Sequence, residues 1–177
     1  MRILILILPI LLGSCVIEIA NGNEYDSLSP EKQSKIKKLT EFKNLDKNFI
    51  YEITGNQLKQ ELKSKDKSLV YTFTSGCNSD NCLPLKTIID YAQANKLNLF
   101  LVMTSYYKID KTLEQNVDFQ LFSINNKSYG EDKSSKYLRL FKTDLGYYEY
   151  SKGEKYVGGY LFFQKDSLVN VMFNLNE

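Results

Sequence analysis

The chain has 177 residues, 43% of them hydrophobic and 25% charged, with Lys+Arg of 23 against Asp+Glu of 21. This excludes wholesale disorder, a collagen-like repeat and a disulfide-dense scaffold, and so even a charge balance gives no reason to expect nucleic acid as a partner. Histidine is absent, which removes Ser-His-Asp and Cys-His catalysis, His-ligated zinc and imidazole pH sensing, and the length fits one domain better than two.

Met1-Arg2 is a short basic start, and the ten residues Ile3 to Leu12 are apolar, with Pro9 among them. A ten-residue helix reaches about 15 Å, roughly half the hydrocarbon core of a bilayer, so the run is too short to span one. A basic start, an apolar core and small residues predict an export signal. Leu12-Gly13-Ser14-Cys15 resembles the lipobox of bacterial lipoproteins. That resemblance implies cleavage before Cys15 and a lipid on Cys15, with residues 1–14 as signal peptide and the product held at a membrane of the cell envelope. The competing reading is a buried N-terminal element with an incidental cysteine. Cleavage removes only Arg2 from the charged residues, so the surface has no strong electrostatic pull toward anionic lipid beyond the anchor.

Residues 15–29 show no sustained period and contain Asn21-Gly22-Asn23, which predicts a tether ahead of a domain over 30–177. Ser29-Pro30-Glu31 is a helix start, with a capping hydroxyl, a proline suited to the first turn and an acid at the positive end; the helix is expected to run to about Phe42. Phe49 to Ile53 reads as a strand, Thr54 as the cap of a helix carrying Leu58 and Leu62, and Leu69 to Thr74 as a second strand. A loop with two cysteines follows, then a helix whose Leu85, Ile88, Ile89 and Ala92 fall on one face. Leu97 to Thr104 has the continuous apolar character of a central parallel strand. The region after it reads as an insertion, with a candidate strand over Val117 to Ile124 and a helix over Lys133 to Leu145 ended by Gly146. Tyr160 to Phe163 and Leu168 to Phe173, around Lys165-Asp166, predict an antiparallel hairpin. The alternation of strand and helix from 49 to 104 predicts an α/β fold, a central mixed sheet of five or so strands flanked by helices.

The chemistry-bearing residues are Cys77 and Cys82, an even pair once Cys15 is set aside, in an oxidising compartment if exported. Pro84 is tolerated only in a first helical turn, so the helix is expected to begin between about Ser79 and Leu83, with Cys77 ahead of it and Cys82 in its first turn. Helix-start amides favour a thiolate, the nucleophile of disulfide exchange. Were both cysteines helical, their spacing would be about 7.5 Å of rise and roughly 140° of rotation, too far to close a disulfide. A redox pair and a small structural staple both remain open on this spacing. The tyrosines at 106, 107, 147, 148, 150, 156 and 160 fit edge-strand packing better than a ligand face, and Asp144, Glu149 and Glu154 read as a solvated group.

The order of elements, with cysteines after the second strand of the unit, resembles the thioredoxin fold over about Phe49 to Leu175. Leu69 to Thr74 resembles the strand leading to that family's active site, and Cys77 takes the place of its attacking cysteine. Val157 to Phe163 is similar to the later segment that faces the cysteines, with Gly158 where the family has a cis-proline. The family's tryptophan before the first cysteine is missing, and its two-residue spacer is four residues here. Thr74 to Cys82 is also similar to the active-site segment of Q-type peroxiredoxins, with Thr74 three residues before the attacking Cys77 and Cys82 as resolving partner; Val70 replaces that family's proline and its late arginine is absent. The copper-chaperone branch would need a histidine. These resemblances imply a membrane-anchored, extracytoplasmic thiol–disulfide oxidoreductase using Cys77 and Cys82, supported by Thr74 and Gly158. It would act on protein dithiols or disulfides with no metal or organic cofactor. The alternatives are a non-catalytic binding module with a structural disulfide, or a peroxidase.

Overall fold

The computed structural model describes residues 24–76, 83–148 and 159–175. The helices are α1 Pro30–Ser34, α2 Gly55–Leu62, α3 Leu85–Ala94, α4 Ile109–Leu113 and α5 Ser134–Asp144, with a 3-10 turn at Asn126–Tyr129. The strands are β1 Ile36–Lys38, β2 Ile50–Ile53, β3 Lys67–Phe73, β4 Asn98–Met103, β5 Leu121–Ile124, β6 Tyr160–Gln164 and β7 Ser167–Met172. They form one seven-stranded sheet in the order β1-β2-β5-β4-β3-β6-β7. From β1 to β3 neighbouring strands are parallel; β6 is antiparallel to β3, and β7 to β6. The fold is thus α/β with a mixed sheet and a C-terminal antiparallel hairpin, as the sequence predicts.

Both faces of the sheet are covered, which is why its central strands lack polar alternation. Leu69, Tyr71 and Phe73 of β3 and Leu99, Leu101 and Met103 of β4 turn to one side, against Leu85, Ile88 and Ala92 of α3. Val70, Phe100 and Val102 turn to the other, against Leu58 and Leu62 of α2 and Phe141 and Leu145 of α5. The start of α2 follows its sequence signal closely. Thr54 Oγ1 accepts from the Gln57 amide at 3.2 Å, and the Gln57 side chain accepts from the Thr54 amide at 2.9 Å, a reciprocal cap.

Three expectations need correction. The first helix ends at Ser34 rather than near Phe42, because Ile36–Lys38 pairs in parallel with β2. Ile36 then enters one core and Leu39 the other, a burial that one short helix face could not give both. Lys37 and Lys38 stay exposed on this edge strand, where lysines discourage further pairing. The segment expected as an insertion supplies β5, whose four residues are all buried between β2 and β4, so the sheet has more strands than expected. Finally, α3 begins at Leu85 with Pro84 as its cap, so the first turn of this helix does not contain Cys82.

Candidate functional site

A cavity of about 470 Å³ opens beside the C-terminal end of β3 on the α3 side of the sheet. Tyr71, Phe73 and Tyr160 form its floor. Tyr71 and Phe73 are alternate residues of β3, and Tyr160 is the cross-strand partner of Tyr71 on β6. Tyr71 stacks on Tyr160 at 4.6 Å between ring centroids and on Phe73 at 5.6 Å. Burial pushes both tyrosine hydroxyls above their ordinary pKa, so at neutral pH the floor is uncharged and offers ring faces and O–H groups.

Three backbone features shape the rim. Gly76 lines the cavity with φ of +69°, and a Cβ there would meet the Lys108 side chain at 2.7 Å; only glycine takes both the conformation and the space without strain. Gly159 accepts from the Thr72 amide at 2.8 Å, and a Cβ on it would lie 2.9 Å from the Thr72 carbonyl oxygen. Leu83 and Pro84 close the side leading into α3.

The fourth wall comes from α4. Ser75 and Thr112, both buried, share a short hydroxyl hydrogen bond that fastens α4 across the end of β3. Lys111, Thr112 and Gln115 line the cavity from this wall. Gln115 Oε1 accepts from the Leu85 amide at 2.8 Å, while the Thr87 and Ile88 amides turn to the Pro84 carbonyl. The first turn of α3 therefore has its amides largely engaged within the chain, contrary to the expectation that they stand ready for a thiolate.

Of the site residues expected from the sequence, Thr74 lines the cavity, and its Oγ1 lies 3.0 Å from Thr104 Oγ1. Cys77, Cys82, Gly158 and Cys15 lie outside the described residues, as do Tyr150, Tyr156, Glu149 and Glu154. The described neighbours of the first three, Gly76, Leu83 and Gly159, all line the cavity. Arg139, the only arginine besides Arg2, sits on α5, on the opposite face of the sheet. Asp144 accepts a 2.7 Å hydrogen bond from the Tyr129 hydroxyl. Tyr106 is buried rather than on an exposed face, with its hydroxyl 3.0 Å from Glu52 Oε1 and 2.8 Å from Ser123 Oγ. Among the described residues no group of acidic residues and cysteines could hold a metal ion, and no helix is long and apolar enough to cross a membrane.

Sequence reasoning missed the aromatic floor and the α4 wall. The floor has a signal, the period-two spacing of Tyr71 and Phe73, but nothing local says that Tyr160 will be their neighbour. Compared with known proteins, the chain matches no family model, no curated protein and no solved structure.

Proposed function

We propose that the protein is an exported thiol–disulfide oxidoreductase with a thioredoxin-like domain, anchored by a lipid on Cys15. Cys77 acts as the attacking thiolate and Cys82 as the resolving thiol. The observation that carries this reading is the convergence of Gly76, Leu83 and Gly159 on one aromatic-floored cavity. The chain on either side of the cysteine segment thus meets the segment beginning beside Gly158 at a recess large enough for a side chain of a partner protein. The mixed α/β sheet is compatible with the thioredoxin-like assignment.

The chemistry balances within two dithiol–disulfide pairs. The Cys77 thiolate attacks one sulfur of a partner disulfide, that S–S bond breaks, and the other partner sulfur leaves as thiolate and takes a proton. Cys82 then attacks the Cys77 sulfur of the mixed disulfide and releases the second partner thiol. The partner gains two electrons and the Cys77–Cys82 pair loses two, so turnover needs an external dithiol reductant; the reverse sequence oxidises a partner.

A second reading has its own support. The stacked Tyr71, Phe73 and Tyr160 make an apolar recess with hydroxyl handles, suited to holding a peptide without any redox step. Trapping separates the two. With a disulfide-containing peptide, the Cys82→Ser variant should accumulate a mixed disulfide at Cys77 and the Cys77→Ser variant should not. Absence of any adduct, with peptide binding retained, would reject exchange in favour of the binding module.

A further inference from the structure

The chain that follows the expected anchor is fastened to a particular edge of the sheet. Glu24 Oε2 accepts from the amides of Tyr106 and Tyr107 at 2.7 and 3.2 Å, just beyond the C-terminal end of β4. The Tyr25 ring packs edge-on against Tyr106 at 6.1 Å between centroids, and Lys127 Nζ lies over the Tyr25 ring, 5.0 Å from its centroid. The Tyr25 carbonyl accepts from the Leu28 amide and from Gln33 Nε2, and Lys32 pairs with Asp110 at 2.7 Å. Residues 24–33 therefore act as a clasp.

This clasp and the cavity share one edge. Strands β3 and β4 are parallel, Phe73 faces Met103, and the Thr104 amide donates to the Phe73 carbonyl, so the two strands end together. Helix α4 joins the two sites, since Asp110 pairs with the clasp while Lys111 and Thr112 line the cavity. Nine peptide units separate Cys15 from Glu24, which at most span about 32 Å. Reaching the opposite edge would mean running back along the strands, about 23 Å for a seven-residue strand such as β3. That would use up most of the available length.

We infer that the clasp turns the cavity-bearing edge toward the membrane that holds Cys15, so that the cavity serves partner proteins held at that surface. The inference rests on the anchored, redox-active reading and adds an orientation and a class of partner to it. The test uses the full acylated chain on vesicles containing a lipid with a nitroxide headgroup. A fluorophore is placed at Lys111→Cys, on the cavity wall, or at Lys165→Cys, in the β6–β7 turn whose amide donates to Asp66 before β3, both in a Cys77→Ser, Cys82→Ser background. Quenching at position 111 with little or none at 165 is expected, and a Glu24→Gln, Tyr25→Ala variant that keeps its circular dichroism should lose the difference. Equal or reversed quenching overturns the orientation. In the unlabelled chain with Cys77 and Cys82 first reduced to the dithiol, a vesicle-anchored disulfide peptide should be reduced, as the pair is oxidised to its disulfide, faster than the same peptide free at equal concentration; equal rates overturn the partner class. Intact mass of the same samples separates the failures. An unacylated Cys15 overturns the anchored reading and this inference with it, and no exchange with either peptide overturns the redox reading and the partner class but not the orientation.

Discussion

Replacing Gly55 by alanine sets two effects of opposite sign against each other. Gly55 is the first residue of α2, where alanine is favoured over glycine by at most about 1 kcal/mol of helix propensity. Its Cβ would lie 2.6 Å from Asp144 Cβ and closer still to the Phe141 carbonyl oxygen, both on α5. Carbon atoms in ordinary contact are about 3.5–4.0 Å apart, so the overlap is near 1 Å and one partner is backbone, which cannot rotate away. Helix α5 must then shift as a body, at a cost of about 1–3 kcal/mol for overpacking. The shift also strains the chain of hydrogen bonds from the Gly55 amide to the Tyr129 hydroxyl at 2.8 Å and on to Asp144 Oδ2 at 2.7 Å. The sum predicts a net loss of about 2 kcal/mol, or roughly 4–8 °C in Tm for a domain of this size. Urea unfolding of residues 24–177, with the slope compared between variants, measures it. A Gly55→Ala variant as stable as the wild type, or more so, would refute the close approach of α2 and α5.

Three further outcomes follow from the same structure. Ser68 Oγ is buried with no hydrogen-bond partner among the described residues, so Ser68→Ala should raise stability by about 1 kcal/mol in the same unfolding assay, and a loss would show that the hydroxyl is satisfied. Gly76→Ala should lower stability by about 1–2 kcal/mol for the left-handed backbone alone, with the Lys108 clash added, and should change the rate at which Cys77 is alkylated; an unchanged Tm would reject the strained turn. Tyr106 is held well above the ordinary tyrosine pKa by burial first, then by the Glu52 charge, so the folded state keeps a proton that the unfolded chain gives up near pH 10. Its contribution is fully present below about pH 10 and is lost as the pH rises further, with a slope of up to about 1.4 kcal/mol per pH unit. Circular dichroism across alkaline pH, beside a Tyr106→Phe variant, tests this: an equally steep decline in the variant would contradict it.

What was legible in the sequence is what local pattern encodes. The cap at Thr54, the apolar face of Leu85, Ile88, Ile89 and Ala92, and the continuous apolar run within Leu97 to Thr104 each depend on neighbours within a few residues. The α/β class followed from their alternation. Ile36–Lys38 was misread because Ile36, Leu39 and Phe42 also fit a helix face, and the deciding contact, pairing with Ile50, is tertiary. The start of α3 at Leu85 was missed for a related reason: the Leu85 amide takes its cap from Gln115, thirty residues on. Thr74 was singled out only through the peroxiredoxin resemblance, and the structure places it on the cavity lining. Tyr71, Tyr160 and the α4 wall were not legible, since only the order of β3, β6 and α4 in space brings them together. The clasp at Glu24 was hidden by a segment with no period, whose contacts to the Tyr106 and Tyr107 amides, the Tyr106 ring and Asp110 lie about eighty residues away in sequence.

The most direct test of the central claim is the reduction potential of the Cys77–Cys82 pair. The domain, equilibrated in graded redox buffers, alkylated and weighed, gives the fraction oxidised at each potential. An exchange catalyst predicts a midpoint between about −120 and −270 mV. A midpoint below about −300 mV would mark a structural staple and contradict the redox reading.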